Sequence, residues 1–228
     1  MDFFDAVRAR RSIRRYTDES VPAEVMERAI DAAILAPNSS NLQTWEFHWV
    51  HSPELRAQLS KICLNQGAAR TAQELLVVIA NPSLWKKTNA EILRRARASK
   101  APPVVFDYYD RLIPRLYGWT WLSPLKWLVL NGIGLFRPVM RRPWSRRDVD
   151  EIAIKSASLA AENFMLAISA QGFDTCPMEG FDEARAKRLL GLGGRARIPM
   201  IISVGKRDPK GRVAAQERFE RTWFVKKL

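Results

Sequence analysis

The run Leu75–Ala80, LLVVIA, constrains the fold of this chain more than any other feature. It is uninterrupted, apolar and rich in β-branched residues, so it reads as a strand buried on both faces. Such a strand needs a covering layer on each side. Asp148–Gln171 is an alanine- and serine-rich stretch without internal glycine or proline that stops at Gly172. It reads as the best helix in the chain. Ala157, Ala160, Ala161 and Ala167 would let another helix approach it closely. Pro199–Gly205, PMIISVG, reads as a second buried strand.

The remaining pattern is local. Residues 2–9 read as a short helix, and Val21–Pro22 opens another in which Val25, Ala29, Ile30, Ala33 and Ile34 recur at helical spacing. Pro37 ends it. Trp45–His51 reads as a strand, Pro53–Ile62 as an amphipathic helix, Phe173–Cys176 as a strand, Asp182–Leu190 as a helix and Thr222–Val225 as strand-like. Loose alternation of strands and helices predicts an α+β or α/β class with a central sheet. The length of 228 residues suits a single domain, 1–228, with a long insertion at 86–147.

The net charge of +13 calls for an anionic partner: a phosphate-bearing cofactor, nucleic acid or an anionic membrane. The excess is localised, because eight basic residues and no acidic one lie between Arg111 and Arg147. The two cysteines, Cys63 and Cys176, have no motif spacing, and there are only two histidines. No disulfide framework and no side-chain metal site is expected, and a reducing, cytoplasmic setting fits. The N-terminus is charged from its second residue, with no signal-peptide pattern.

Three constellations carry chemistry. Arg10-Arg11-Ser12-Ile13-Arg14-Arg15-Tyr16 could bind phosphate oxygens through charge-assisted guanidinium hydrogen bonds, or form a solvated basic face or a nucleic-acid arm. The polar loop Asn38-Ser39-Ser40-Asn41 with Gln43 offers amides and hydroxyls to a heteroaromatic edge, or is simply a loop. Cys176-Pro177-Met178-Glu179-Gly180-Phe181-Asp182 combines a fixed backbone with a glycine that permits close approach, or is a strand-to-helix turn with Asp182 at the helix start.

In this order and context the three closely resemble the FMN-dependent nitroreductase family. The resemblance runs through the R-R-S-x-R-x-Tyr run, the A-P-x-S-x-N-x-Q-x-W-x-F loop, Leu75–Asn81, the P-M-E-G-F-D segment, the alanine-rich helix and the late PMIISVGK strand. It covers most of the chain except 86–147. It implies an α+β sandwich with a mainly antiparallel central sheet flanked by helices, in a domain-swapped homodimer with FMN bound at the subunit interface. Arg10, Arg11, Ser12 and Arg14 would then hold the phosphate and ribityl chain. Asn38, Ser39, Ser40, Asn41 and Gln43 would approach the flavin from the partner subunit, and Asn65 would lie near its pyrimidine side. The segment Pro177, Met178, Glu179 and Gly180 would face the N5 region, mainly through backbone groups. A late arginine would complete the phosphate site, with Arg218 the best match and Arg221 and Arg212 the alternatives. Two departures stand out: Thr44 replaces the usual proline, and Ala68 and Ala69 leave the region without the lysine of some members.

The implied activity is reduction of nitro compounds, quinones or related acceptors by NAD(P)H, in ping-pong order, with no catalytic side chain nominated. His48 reads as a structural residue. A flavin protein of the same fold with another redox or sensing role is the alternative. The basic residues follow no helix-turn-helix, RRM or zinc-finger pattern, so nucleic acid is not expected as a partner. The insertion contains Trp119, Trp121, Trp127 and Trp144 with Tyr108, Tyr109 and Tyr117. It reads either as an aromatic lid beside the flavin or, through 111–147, as a peripheral contact with an anionic membrane.

Overall fold

The computed structural model describes all residues except 119–122, 141, 144, 212 and 214, and the side chain of residue 126. Trp119, Trp121, Trp144 and Arg212 therefore lie outside the described residues. The chain begins with helix α1 (Phe3–Ala9) and α2 (Ala23–Ile34), followed by strand β1 (Trp45–Val50), α3 (Pro53–Ile62), α4 (Gly67–Thr71) and β2 (Glu74–Ala80). The insertion is largely helical. Helix α5 (Trp85–Ala98) precedes α6 (Pro103–Phe106), which passes through a π-helical turn (Asp107–Leu112) into α7 (Ile113–Tyr117); α8 (Ser123–Ile133) comes next. The long α9 (Arg146–Ala170) leads to β3 (Asp174–Met178), α10 (Glu183–Leu189) and β4 (Arg197–Gly205).

The strands form one antiparallel sheet in the order β1-β2-β4-β3. Every residue of β2 is buried because the strand is central and both faces are covered, as its composition predicts. Successive side chains alternate between two cores. Leu76, Val78, Ala80, Ile202 and Val204 face α2 and α9, where they meet Met26, Ala29, Ala157, Ala161 and Phe164. Leu75, Val77, Ile79 and Ile201 face the other way, onto Leu59, Ala68, Ala69 and Ala186. The alanines of α9 have the role their size suggests, and polar bonds fix the α2–α9 register: Asn163 donates to the Ala32 carbonyl (3.1 Å) and Gln171 to that of Val25 (3.1 Å).

The outer edge of β3 is not left bare. The backbone N–H of Ile13 donates to the Thr175 carbonyl (3.0 Å), and Ser12 forms a parallel bridge with Thr175. One expected element is absent. Thr222–Val225 is not a strand; Arg221–Trp223 is a single 3-10 turn in an exposed tail, and it pairs with no strand among the described residues.

Candidate functional site

The arginine run owes its position to its two apolar members. Ile13 and Tyr16 are buried, and the Tyr16 hydroxyl shares a 2.9 Å hydrogen bond with Ser203 Oγ while its ring covers Gly205. Burial raises the Tyr16 pKa well above its ordinary value, so the phenol stays neutral. With these side chains turned inward, Ser12 and Arg14 face outward.

Arg10, Arg11, Ser12 and Arg14 line an open cleft of about 280 Å³, and the C-terminal tail closes its other wall with Val213, Ala215, Gln216 and Arg218. The structure thus places Arg218 opposite the arginine run across more than two hundred residues of chain. Arg221 is not part of this wall. Arg15 turns away and pairs with Asp208 at 2.7 Å. Arg10 lies within 3.8 Å of Glu162 on α9. Beneath the cleft is the Cys176 thiol, whose pKa burial pushes up; the guanidiniums of Arg14 and Arg10 offset part of that rise. Four described arginines line one small hollow, and planar guanidinium donor sets are suited to binding oxyanions.

Gln66 and Gly67, which the sequence pattern did not single out, join the arginine run to the Pro177–Asp182 segment. Gln66 Nε2 donates to the Gly180 carbonyl at 2.6 Å. A Cβ on Gly67 would stand 2.8 Å from the Arg14 carbonyl oxygen, so glycine is what allows this backbone approach. The only sequence sign of this junction was a glycine at the start of a short helix. Within the predicted segment, Glu179 and Gly180 are exposed, whereas the Met178 side chain is buried in the core and leaves only its backbone for a ligand. Pro177 is half-buried in β3, and Asp182 caps α10 by accepting from the Arg185 N–H at 3.0 Å.

The other predicted residues lie apart from this cleft. Asn65 is exposed, in a left-handed conformation, beside a separate hollow formed by α3 and α4. The Asn38–Gln43 loop is also separate. Its Ser40, Asn41 and Gln43 hold φ of 55°, 51° and 45°, a region that costs energy in residues other than glycine. Three tyrosines of the insertion hold the loop in this shape. Tyr117 donates to Ser39 Oγ (2.9 Å), Tyr108 shares a 2.8 Å bond with Ser40 Oγ, and Tyr109 donates to the Ser40 carbonyl (3.2 Å). Asn38 Oδ1 accepts the Gln43 N–H at 2.8 Å.

The π-turn is what brings two of these tyrosines to the loop. Pro114 lacks the N–H that an α-helix would direct to the Asp110 carbonyl, and the widened turn carries Tyr108 and Tyr109. Burial raises the Tyr117 pKa, with the Ser39 hydrogen bond opposing, so its hydroxyl remains a donor. Tyr117→Phe should cost about 0.5–1.5 kcal/mol, the net value of one hydrogen bond. Amide exchange should accelerate selectively in residues 39–43, as read by mass spectrometry.

The family model described as "Nitroreductase family" matches residues 7–206. Protein DrgA of Synechocystis sp. is 32% identical over 208 residues, covering 91% of this chain and 85% of its own. YodC of Bacillus subtilis, described as an NAD(P)H nitroreductase, is 27% identical over 203 residues, covering 89% of this chain and 88% of its own. Among solved structures, an FMN complex from Exiguobacterium sibiricum described as a nitroreductase superposes with a TM-score of 0.74 at 23% identity, covering 100% of this chain and 98% of that one. The fold is therefore the nitroreductase α+β sandwich, and the chain belongs to the nitroreductase family of oxidoreductases.

Proposed function

We propose that this chain is an FMN-dependent oxidoreductase that uses NAD(P)H to reduce nitro compounds, quinones or related acceptors. The observation that carries this reading is the convergence of Arg10, Arg11, Ser12, Arg14 and Arg218 on one cleft in a chain of this family. A relative described as an NAD(P)H nitroreductase and a structural neighbour holding FMN support the choice of donor and cofactor.

The donor set fits a flavin mononucleotide at its phosphate end, which carries about two negative charges by analogy with other phosphomonoesters. The arginines would neutralise that charge, and the Ser12 hydroxyl would add a donor. The exposed backbone of Glu179 and Gly180 lies on the continuation of β3, open to a close ligand approach. At about 280 Å³ the cleft is slightly smaller than the roughly 300–1,000 Å³ of ordinary small-molecule sites, so an isoalloxazine ring needs further walls. A second copy would supply them through its Asn38–Gln43 loop, with Asn65 near the pyrimidine side of the ring. When bound, FMN would supply two-electron chemistry, accepting hydride from the nicotinamide and passing electrons to an acceptor in ping-pong order. The chain's own contribution is binding, orientation and charge, and no side chain is assigned as a general acid or base.

The assembly in this reading is a domain-swapped homodimer. Phe219, Trp223, Phe224 and Val225 are exposed in the tail, as are Phe3, Phe4 and Leu159 on the body, and these apolar surfaces need a partner. A cytoplasmic location suits the two buried free thiols, and burial pushes Cys63 up to about 11.

Purified protein should be yellow, and its flavin band should bleach anaerobically on mixing with NADH or NADPH. A quinone or nitroarene should then restore the band after the nucleotide is exhausted. A colourless protein that cannot be reconstituted with FMN overturns the proposal. Flavin that neither nucleotide reduces would instead assign the chain another redox or sensing role on the same fold.

A further inference from the structure

The insertion divides into two halves with different surroundings. Its first half packs inward: Ile113, Leu116 and Tyr117 form a small core with Trp85, Leu42 and Val149. The second half does the opposite. On α8, Leu125, Trp127, Leu128 and Val129 are all exposed, and beyond it Leu135 is 79% and Phe136 91% exposed, with Met140 also outside. At about 100° per residue, the four exposed α8 side chains point to different sides of the helix. Large apolar side chains exposed on more than one side of a helix mark a surface that another phase or partner covers. None of these residues lines the arginine cleft.

We infer that α8 and the Gly134–Met140 segment dock peripherally on an anionic lipid bilayer. The charge around the patch selects the occupant. Residues 111–147 contain eight basic residues and no acidic one. Arg111 and Arg142 are paired with acidic residues, but Arg137 and Arg147 are exposed and take part in none of the ion pairs among the described residues. A two-fold interface between copies of this chain, centred on α8, would set basic residues against basic residues. An anionic headgroup layer is complementary to them, and the apolar side chains would enter the acyl boundary with the Trp127 indole at headgroup depth. Insertion would be interfacial: α8 has eleven residues, about 16 Å of helix against a hydrocarbon layer of roughly 30 Å. No helix among the described residues is long and apolar enough to cross a membrane.

The inference does not depend on the flavin assignment, because its readout is binding and not turnover. Holoprotein, or protein as purified if colourless, is sedimented with phosphatidylcholine vesicles with and without phosphatidylglycerol. Binding is expected only with the anionic lipid, and it should fall as salt is raised. Leu128→Asp with Phe136→Asp should weaken partitioning by at least about tenfold, since binding scales with buried apolar area. Arg137→Gln should weaken it about fivefold. These side chains are exposed, so circular dichroism and the flavin spectrum should match wild type. Absence of binding to anionic vesicles at low salt overturns the inference, as does equal binding by the Leu128→Asp/Phe136→Asp variant. Dissociation of a dimer by that variant, without any vesicle binding by wild type, would assign the patch to a second copy and also overturn it.

Discussion

Replacing Arg10 and Arg14 together with alanine should release FMN while leaving the protein folded. Each guanidinium would give the phosphate charge-assisted hydrogen bonds of about 1.5–3 kcal/mol. Arg14 is exposed, so solvent screening moves its share toward the low end. A loss of about 3 kcal/mol overall corresponds to roughly a hundredfold weaker binding. The fold should tolerate the change because Ile13 and Tyr16, the residues that seat the run, are untouched. The Arg10–Glu162 contact at 3.8 Å involves a half-exposed carboxylate, and such a pair is worth at most about 1 kcal/mol. Quenching of FMN fluorescence on titration measures the affinity, and a urea midpoint close to wild type excludes unfolding. Arg15→Ala is the matched control. Its side chain pairs with Asp208 and does not line the cleft, so affinity should change by about 0.5 kcal/mol or less. Unchanged FMN affinity in the double variant would remove the arginine run from the site.

Gly67→Ala should damage both stability and cofactor binding, although alanine is the better helix former. The new methyl would meet the Arg14 carbonyl at 2.8 Å, and the obstacle is backbone, which has no rotamer through which to move aside. Alanine's propensity advantage is at most about 1 kcal/mol in a helix interior, and less at the first residue of α4. Overpacking a well-filled contact costs about 1–3 kcal/mol, so the clash should win. The displacement would travel through two bonds: Tyr16 N–H to Thr71 Oγ1 (3.1 Å), and Gln66 to the Gly180 carbonyl (2.6 Å). Arg14 would shift with its backbone, and FMN should bind more weakly even where the variant remains folded. Urea denaturation and flavin titration of the same preparation measure the two effects. A variant as stable as wild type with unchanged affinity would show that the approach of Gly67 to Arg14 is unimportant.

The insertion supports the Asn38–Gln43 loop in a way that periodicity does not express. Its tyrosines bond Ser39 and Ser40 of the Asn38–Gln43 loop, and Ser40 is at positive φ, so their hydroxyls offset local backbone strain there. The aromatics gathered by the sequence into one lid-or-membrane segment separate in three dimensions. Tyr108, Tyr109 and Tyr117 serve the loop, while Trp127 stands exposed among leucines on α8.

By itself the sequence determined the elements whose cause is local. The unbroken branched run at Leu75–Ala80 has to be a doubly covered strand, and the alanine-rich stretch before Gly172 has to be a close-packing helix. Each follows from near-neighbour spacing and side-chain chemistry. The family resemblance was legible in the same way, as an ordered set of short motifs. What only the tertiary structure decided is which distant groups share a space. It put Arg218, and not Arg221, in the wall facing the arginine run, buried Met178, set Asn65 beside another hollow, and revealed Gln66 and Gly67 as a junction. It also removed the strand expected at Thr222–Val225. That stretch has strand-like composition, but a strand requires a neighbouring edge to satisfy its backbone groups, and such an edge is a property of the assembled sheet and not of the segment.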